Sequence, residues 1–364
     1  MTSLTVDRLL QQLVALPSPS GEEARVAQFV CELLAARRVD HERLGDSVLA
    51  RVARGGGPRL LLNSHLDTVP IGAGWTREPL GPAWDGDRLY GRGANDAKAS
   101  VAAMLCALFE LLDGKWSAGG ELLIAFTACE ETTNAGMTRV LEHIGAPDGA
   151  VTGEPTGLEV VRAQSGLAVL NAEWRGKSCH AAHVARVEHR NALYEAAQDI
   201  ADAAPWLELE GAHPLLGTST VATTMLHSGE RHNVVPDRAL ATFDARLAPP
   251  HDADEVAALL RDKLPSAFVS VRSARLKPIE TAADHPLVRA ALRSSGKSRA
   301  IGSSTMSDMA LLQGVPCVKC GPGETARSHT PDEFVLRGEL EAGVAFYRNF
   351  VPAAFEALAT VSAR

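Results

Sequence analysis

The stretch from Arg59 to Phe126 constrains the fold most, because two apolar runs flank a helical pattern there. Leu60-Leu61-Leu62 and Leu122-Leu123-Ile124-Ala125-Phe126 read as strands buried on both faces. Between them Val101, Met104, Leu105, Leu108, Phe109 and Leu112 step by three and four, the spacing of one helix face. Strand, helix, strand in this order predicts an α/β layer around a partly parallel sheet. Upstream, Leu9, Leu10, Leu13 and Val14, then Val26, Phe29, Val30, Leu33 and Leu34, predict two amphipathic helices separated by Pro17-Ser18-Pro19-Ser20-Gly21.

Past Gly166 the texture changes. Leu167 to Trp174, Ser219 to Met225 and Ala239 to Leu247 alternate in polarity, as strands of a sheet with one solvated face do, and helical stretches near Asn191–Ala203 and Asp254–Leu264 lie among them. This predicts an α+β domain of the split-βαβ type, ferredoxin-like in architecture. The expected division is a main domain of residues 1–166 and 277–364 interrupted by an α+β domain of residues 167–276. The chain closes on a long helix, whose start is expected at Thr330-Pro331-Asp332-Glu333 with Thr330 as N-cap and Glu333 completing a capping box.

A chain of 364 residues suits about two domains, and 46% apolar with 22% charged residues excludes a disordered state. The net charge of −8 carries no footprint of a nucleic-acid or anionic-membrane partner. The longest apolar run, around Ala99 to Phe109, falls short of the roughly 20 residues that a membrane span requires. No basic run feeds an apolar leader at the amino terminus, and six scattered cysteines do not suggest a disulfide framework. The expected setting is reducing and cytoplasmic.

Chemistry-bearing residues recur where apolar runs end. His65-Leu66-Asp67 follows the first buried strand, so that the imidazole can bind a metal while Asp67 fixes its other ring nitrogen. Asp96 stands in the loop Gly91-Arg92-Gly93-Ala94-Asn95-Asp96-Ala97-Lys98, at the entry to the Val101–Leu112 helix. Cys129-Glu130-Glu131 follows the second strand, where one carboxylate can ligate a metal while its neighbour takes a proton from water. Glu154 closes a third apolar run, Gly149-Ala150-Val151, and His329 precedes the closing helix. Two histidines and three carboxylates, Asp96, Glu131 and Glu154, match the ligand inventory of a two-metal hydrolytic site with Glu130 left over as base.

The ordered set HLDTVP, GRGANDAK, ACEE, GEPT and SHTPDE resembles the dinuclear-zinc metallopeptidase and amidohydrolase family of acetylornithine deacetylase, succinyl-diaminopimelate desuccinylase, aminoacylase and glutamate carboxypeptidase, from about Leu13 to Phe350. The resemblance implies a zinc-exopeptidase-like catalytic domain with a mixed sheet, and an inserted lid through which the chain forms a homodimer. It implies two zinc ions, with cobalt able to substitute: His65, Asp96 and Glu154 hold one, Asp96, Glu131 and His329 the other, and Asp96 bridges. Glu130 becomes the general base, and the peptide after Asp96 is expected to be cis. In the lid motif Gly176-Lys177-Ser178-Cys179-His180-Ala181-Ala182, His180 is expected to enter the partner's site and stabilise the oxyanion, with Asn233 beside it. Arg246 resembles the arginine that pairs with the substrate's α-carboxylate, and Gly321 and Gly323 of Gly321-Pro322-Gly323-Glu324 resemble the turn lining the carboxylate pocket. Cys129 and Ala99 depart from the family pattern without touching a ligand position.

The expected substrate is an N-acyl amino acid. Thr305-Met306-Ser307-Asp308-Met309 and the Gly-Pro-Gly-Glu turn look closest to the acetylornithine and acetyl-lysine deacetylases of that family, and this resemblance implies N-acetyl-ornithine or N-acetyl-lysine as substrate, in arginine or lysine biosynthesis. Succinyl-diaminopimelate desuccinylase and a dipeptidase or carboxypeptidase are the alternatives. A nucleotide-binding oxidoreductase built on Gly91 and Gly93 lacks the third glycine. A metal-binding protein without turnover leaves Glu130 and His180 without a task. Cys317 and Cys320 lack the second cysteine pair of a zinc knuckle, and His183 is taken as a bystander to His180.

Overall fold

The computed structural model describes residues 5–114, 116, 119–204 and 206–362, and its contacts divide the chain into two units. The first holds residues 1–162, 281–301 and 307–364, and the second Ala163–Glu280 with Gly302–Met306.

Four parallel strands form the centre of the first unit's sheet, in the order Gly120–Thr127, Arg59–His65, Gly149–Thr152 and Cys317–Lys319. Ser47–Arg54 and Asp40–Leu44 extend it antiparallel beyond Gly120–Thr127, and Val161–Gln164 flanks Cys317–Lys319. Leu60 to His65 and Leu122 to Thr127 are buried at every position, the two-faced burial that their unbroken apolar runs predict. Register places His65 opposite Thr127, so the first histidine stands beside the turn that carries Glu130 and Glu131. The crossover helix Lys98–Asp113 is buried nearly all round, because it packs against both the first helix, Val6–Val14, and the last, Arg337–Ser362. Its first residue, Lys98, reaches under the first helix, where Nζ donates to the carbonyls of Leu13 at 3.0 Å and Leu16 at 2.8 Å. Leu13 lies in the last turn of that helix and Leu16 just past it, so Lys98 ties the end of the first helix to the start of the crossover helix.

The second unit is a five-stranded antiparallel sheet in the order Trp206–His213, Gly217–Ser228, Arg238–Leu247, Gly166–Arg175 and Phe268–Leu276. Without its first, added edge strand this is the ferredoxin-like order. Gly166–Arg175 alternates buried with half-buried residues, and the helices Ala192–Asp202 and Ala253–Lys263 pack on the sheet. Residues 163–166 and 277–280 belong to this unit because Gln164 pairs with Ile279 and Ala163 with Glu280, while Ser165 N donates to Ser303 O at 2.9 Å and brings in Gly302–Met306.

The structure corrects one local expectation. Thr330–Glu333 is not a helix start, since Pro331 and Asp332 form a turn, Phe334–Leu336 is a short strand and the helix begins at Arg337. The side chains that would have capped a helix are engaged elsewhere. Asp332 accepts from Thr76 and Arg77, and Glu333 accepts from Arg92, Asn95 and Asp96.

Candidate active site

Three of the four parallel strands deliver a candidate ligand at or just beyond their carboxyl ends, as open α/β sheets do. His65 is the last residue of its strand, Glu131 lies in the turn after Gly120–Thr127, and Glu154 stands two residues past Gly149–Thr152. Asp96 comes from the loop before the crossover helix and His329 from the turn after Thr325–Arg327. These five meet in two overlapping groups, His65 with Asp96 and Glu154, and Asp96 with Glu131 and His329, their nitrogen and oxygen atoms within 4.8 Å of one another in each. His65 Nε2 lies 3.2 Å from Asp96 Oδ1 and 3.9 Å from Glu154 Oε2, while His329 Nε2 lies 3.0 Å from Glu131 Oε1 and 3.5 Å from Asp96 Oδ2. Asp96 thus presents one oxygen to each imidazole. The Asp96–Ala97 peptide is cis.

The electrostatics of this cluster suit a cation. Burial pushes the Glu154 carboxyl up to about 8, and its Oε1 is buried without a hydrogen-bond partner. Glu130 also rises well above the carboxylate range, through burial first and then the charges of Glu154, Asp308 and Glu131, against the opposing pull of His65. Burial would lower His65, but hydrogen bonds to Asp67 and Asp96 and the surrounding carboxylates outweigh it and hold the imidazole well above its usual value. The hydrogen bond to Glu131 raises His329. Imidazole nitrogens and carboxylate oxygens so close together form a donor set that zinc and its neighbours accept, and an orphaned carboxylate oxygen is what a bound cation would satisfy.

Asp67 meets the other ring nitrogen of His65 and also supports the turn after the neighbouring strand. His65 Nδ1 lies 2.9 Å from the backbone carbonyl of Asp67 and 3.5 Å from its Oδ1. The carboxylate mainly accepts the amides of Glu130 at 3.0 Å and Glu131 at 3.1 Å. Glu333, read from the sequence as a helix cap, instead clamps the Asp96 loop: Oε1 accepts the amides of Asn95 at 2.9 Å and Asp96 at 3.0 Å, and Oε2 accepts from Arg92 Nη1 at 2.6 Å. Asp308, also missed as a site residue, accepts from Thr127, Asn63 and Asn134 beneath the ends of two central strands.

Gly321 and Gly323 lie in the first unit and press on the ligand loops. A Cβ at Gly321 would stand 2.5 Å from Ser100 Oγ and 2.6 Å from the carbonyl of Glu154, and one at Gly323 would collide with Asn95 Oδ1. Gly321→Ala is therefore expected to displace Glu154, costing about 1–3 kcal/mol of stability together with metal retention. Thermal melting and metal analysis check this, and a variant matching the parent in both contradicts it.

His180, Asn233 and Arg246 belong to the second unit. His180 is exposed, and its Nδ1 accepts from Ala182 N at 3.1 Å, which leaves the proton of the neutral ring on Nε2 as a donor. Ala181 N donates to Asn233 O at 2.9 Å, so His180 and Asn233 are neighbours. Arg246 is exposed and forked onto Asp244, two residues back on the same strand face, at 2.7 and 3.1 Å.

A family model, peptidase family M20/M25/M40, matches residues 61–353, a span that contains all five candidate ligands. The chain belongs to that family. A Mycobacterium tuberculosis protein with the provisional name succinyl-diaminopimelate desuccinylase DapE is 30% identical, over 94% of this chain and 97% of its own. A LysW-lysine/LysW-ornithine hydrolase of Saccharolobus islandicus is 26% identical, over 93% of each chain. Among solved structures, the Bacillus subtilis YXEP protein, described as a dinuclear metal-binding peptidase of the M20 family, superposes with a TM-score of 0.75 at 16% identity, over 97% of this chain and 98% of that one. This M20 chain is a metal-dependent hydrolase with the mixed α/β fold of its family, and none of its described helices is long and apolar enough to cross a membrane.

Proposed function

We propose that this M20 protein is a cytoplasmic homodimer that hydrolyses the amide bond of an N-acyl diamino acid, N-acetyl-ornithine or N-acetyl-lysine, using two zinc ions, for which cobalt can substitute. The observation that carries the reading is the sharing of Asp96 between the His65–Glu154 and Glu131–His329 groups, with Glu130 beside them and outside both shared sets. Zinc, when bound, supplies Lewis-acid polarisation and makes water more acidic. Glu130 takes the proton of the attacking water and returns it to the leaving amine nitrogen. A carboxyl beside the attacking water can hold that proton between the two steps. His180, from the partner's lid, donates from Nε2 to the developing oxyanion with Asn233 beside it, and Arg246 exchanges Asp244 for the substrate's α-carboxylate.

The diamino acid part of the reading is supported by the names of the relatives, which refer to diaminopimelate, lysine and ornithine. The 30% identical relative also favours a second reading, removal of a succinyl group from diaminopimelate. Initial rates on N-acetyl-ornithine, N-acetyl-lysine, N-succinyl-diaminopimelate and a dipeptide, with added zinc and with chelator, decide among these. A chelator-sensitive preference for one acetylated diamino acid is the expected result. Preference for the succinyl substrate selects the second reading, equal weak rates on all four reject a diamino acid specificity, and indifference to chelator rejects the metal assignment.

A further inference from the structure

The Pro17–Glu23 stretch, which the sequence marks only as a break between two helices, is tied to the back of the Cys129–Glu131 turn. Ser18 aligns it with the segment after His65, because Ser18 Oγ donates to Leu66 O at 2.7 Å and Thr68 N donates to Ser18 O at 2.9 Å. Ser20 Oγ then donates to Asp67 Oδ2 at 2.6 Å, the oxygen that also accepts Glu131 N. Glu23 is fully buried, and its Oε1 accepts from Gly21 N at 2.9 Å, Cys129 N at 2.9 Å and the Cys129 thiol at 3.5 Å. Three successive amides, those of Cys129, Glu130 and Glu131, therefore end on two carboxylates, Glu23 and Asp67.

Helix formation does not account for Glu23. The helix beginning at Ala24 takes no side-chain cap from it, and its Oε2 is buried without a partner, an arrangement that opposes folding. Cys129 has φ +58, which a side-chain-bearing residue seldom adopts unless its surroundings hold it there. The hydrogen bond from its amide to Glu23 is such a hold.

We propose that Ser20 and Glu23 are positioning residues of the hydrolytic site: Glu23 fixes the turn through the Cys129 amide, and Ser20 fixes it through the Asp67 carboxylate, so that Glu130 and Glu131 project at the required angle. This rests on the reading of Glu130 as base and Glu131 as ligand. A base held at the wrong place loses rate without losing substrate affinity.

The test uses the full chain and two pairs of variants. Ser20→Ala and Glu23→Ala remove the contacts, whereas Ser20→Thr keeps the hydroxyl and Glu23→Gln keeps an oxygen able to accept what Oε1 accepts. Each alanine variant is expected to lower kcat roughly 10- to 100-fold with KM within about twofold of the parent. Each is also expected to speed amide exchange at Cys129–Glu131 of the metal-free protein, while the Lys98–Asp113 helix exchanges as in the parent. The conservative variants should restore both. Parental kcat in both alanine variants, unaltered exchange at the turn, or exchange accelerated uniformly along the chain overturns the proposal. Ser20 is only partly buried, so Ser20→Ala decides the matter if Glu23→Ala fails to fold. Glu130→Gln in the same assay separates the two failures. If it keeps the parental rate the base assignment falls and the exchange data alone decide the tie, whereas an inactive Glu130→Gln beside unaffected alanine variants removes only this proposal.

Discussion

Glu130→Gln is expected to lower kcat by about 10²- to 10⁴-fold, the range a general base contributes, while metal content stays at the parental level. The amide is nearly the same size as the carboxylate and accepts hydrogen bonds, but it cannot hold the proton that must pass from water to the leaving nitrogen. Glu130 stands outside the two groups that share Asp96, although its carboxylate also lies within 4.8 Å of donor atoms of His65 and Glu131, and the substitution is expected to leave His65, Asp96, Glu131, Glu154 and His329 in place. Metal analysis alongside initial rates tests both halves. A near-parental rate rejects the base assignment, and a loss of metal in proportion to the loss of rate makes Glu130 a ligand instead.

The second large effect is on stability. Arg92 Nη1 lies 2.6 Å from Glu333 Oε2, with side chains only 4% and 1% exposed, so neither charge has water to fall back on. Breaking a buried pair by removing one member strands the other, which costs about 3–5 kcal/mol. Arg92→Met should therefore lower the unfolding free energy by that amount, measured by urea denaturation of the metal-free protein. It should also weaken metal binding, because Glu333 then has less reason to keep its other oxygen on the Asn95 and Asp96 amides. Adding Glu333→Gln to Arg92→Met should recover part of the loss, since the amide oxygen can still accept from that pair without an uncompensated charge. A single-variant cost below about 1 kcal/mol would place the pair among solvent-screened ones and undo the argument.

The central strands and the crossover helix were legible because unbroken apolar runs and three-four spacing are local signals that burial enforces. Of the candidate site residues, His65, Glu130, Glu131 and Glu154 stood out because they follow buried apolar runs, whereas Asp96 and His329 rested on the resemblance of their motifs. What escaped notice acts through partners that leave no mark nearby. Glu333 carries the local grammar of a helix start, yet its donors, Arg92 and the amides of Asn95 and Asp96, lie more than 230 residues earlier in the chain. Ser20, Glu23 and Asp308 bind backbone amides, hydroxyls or a carboxylate brought to them only by the sheet. The glycines of the Gly321–Gly323 turn show the converse. Their resemblance to a pocket lining conceals a packing demand, visible only once Glu154 and Asn95 are seen against them.

The excursion of the chain into the second unit starts and finishes at adjoining places in the first, where Thr281 N donates to Arg162 O at 2.8 Å and Ile301 N donates to Val160 O at the same distance. In terms of chain entropy, the hydrolytic unit meets the whole intervening domain as a short closed loop. Once that domain has folded and pinned its own ends, the cost of closure no longer depends on how many residues lie between them. Sequence can accumulate or disappear in the excursion without loosening the sheet whose strand ends carry His65, Glu131 and Glu154. The second unit is thus free to vary in size while the sheet of the first is not.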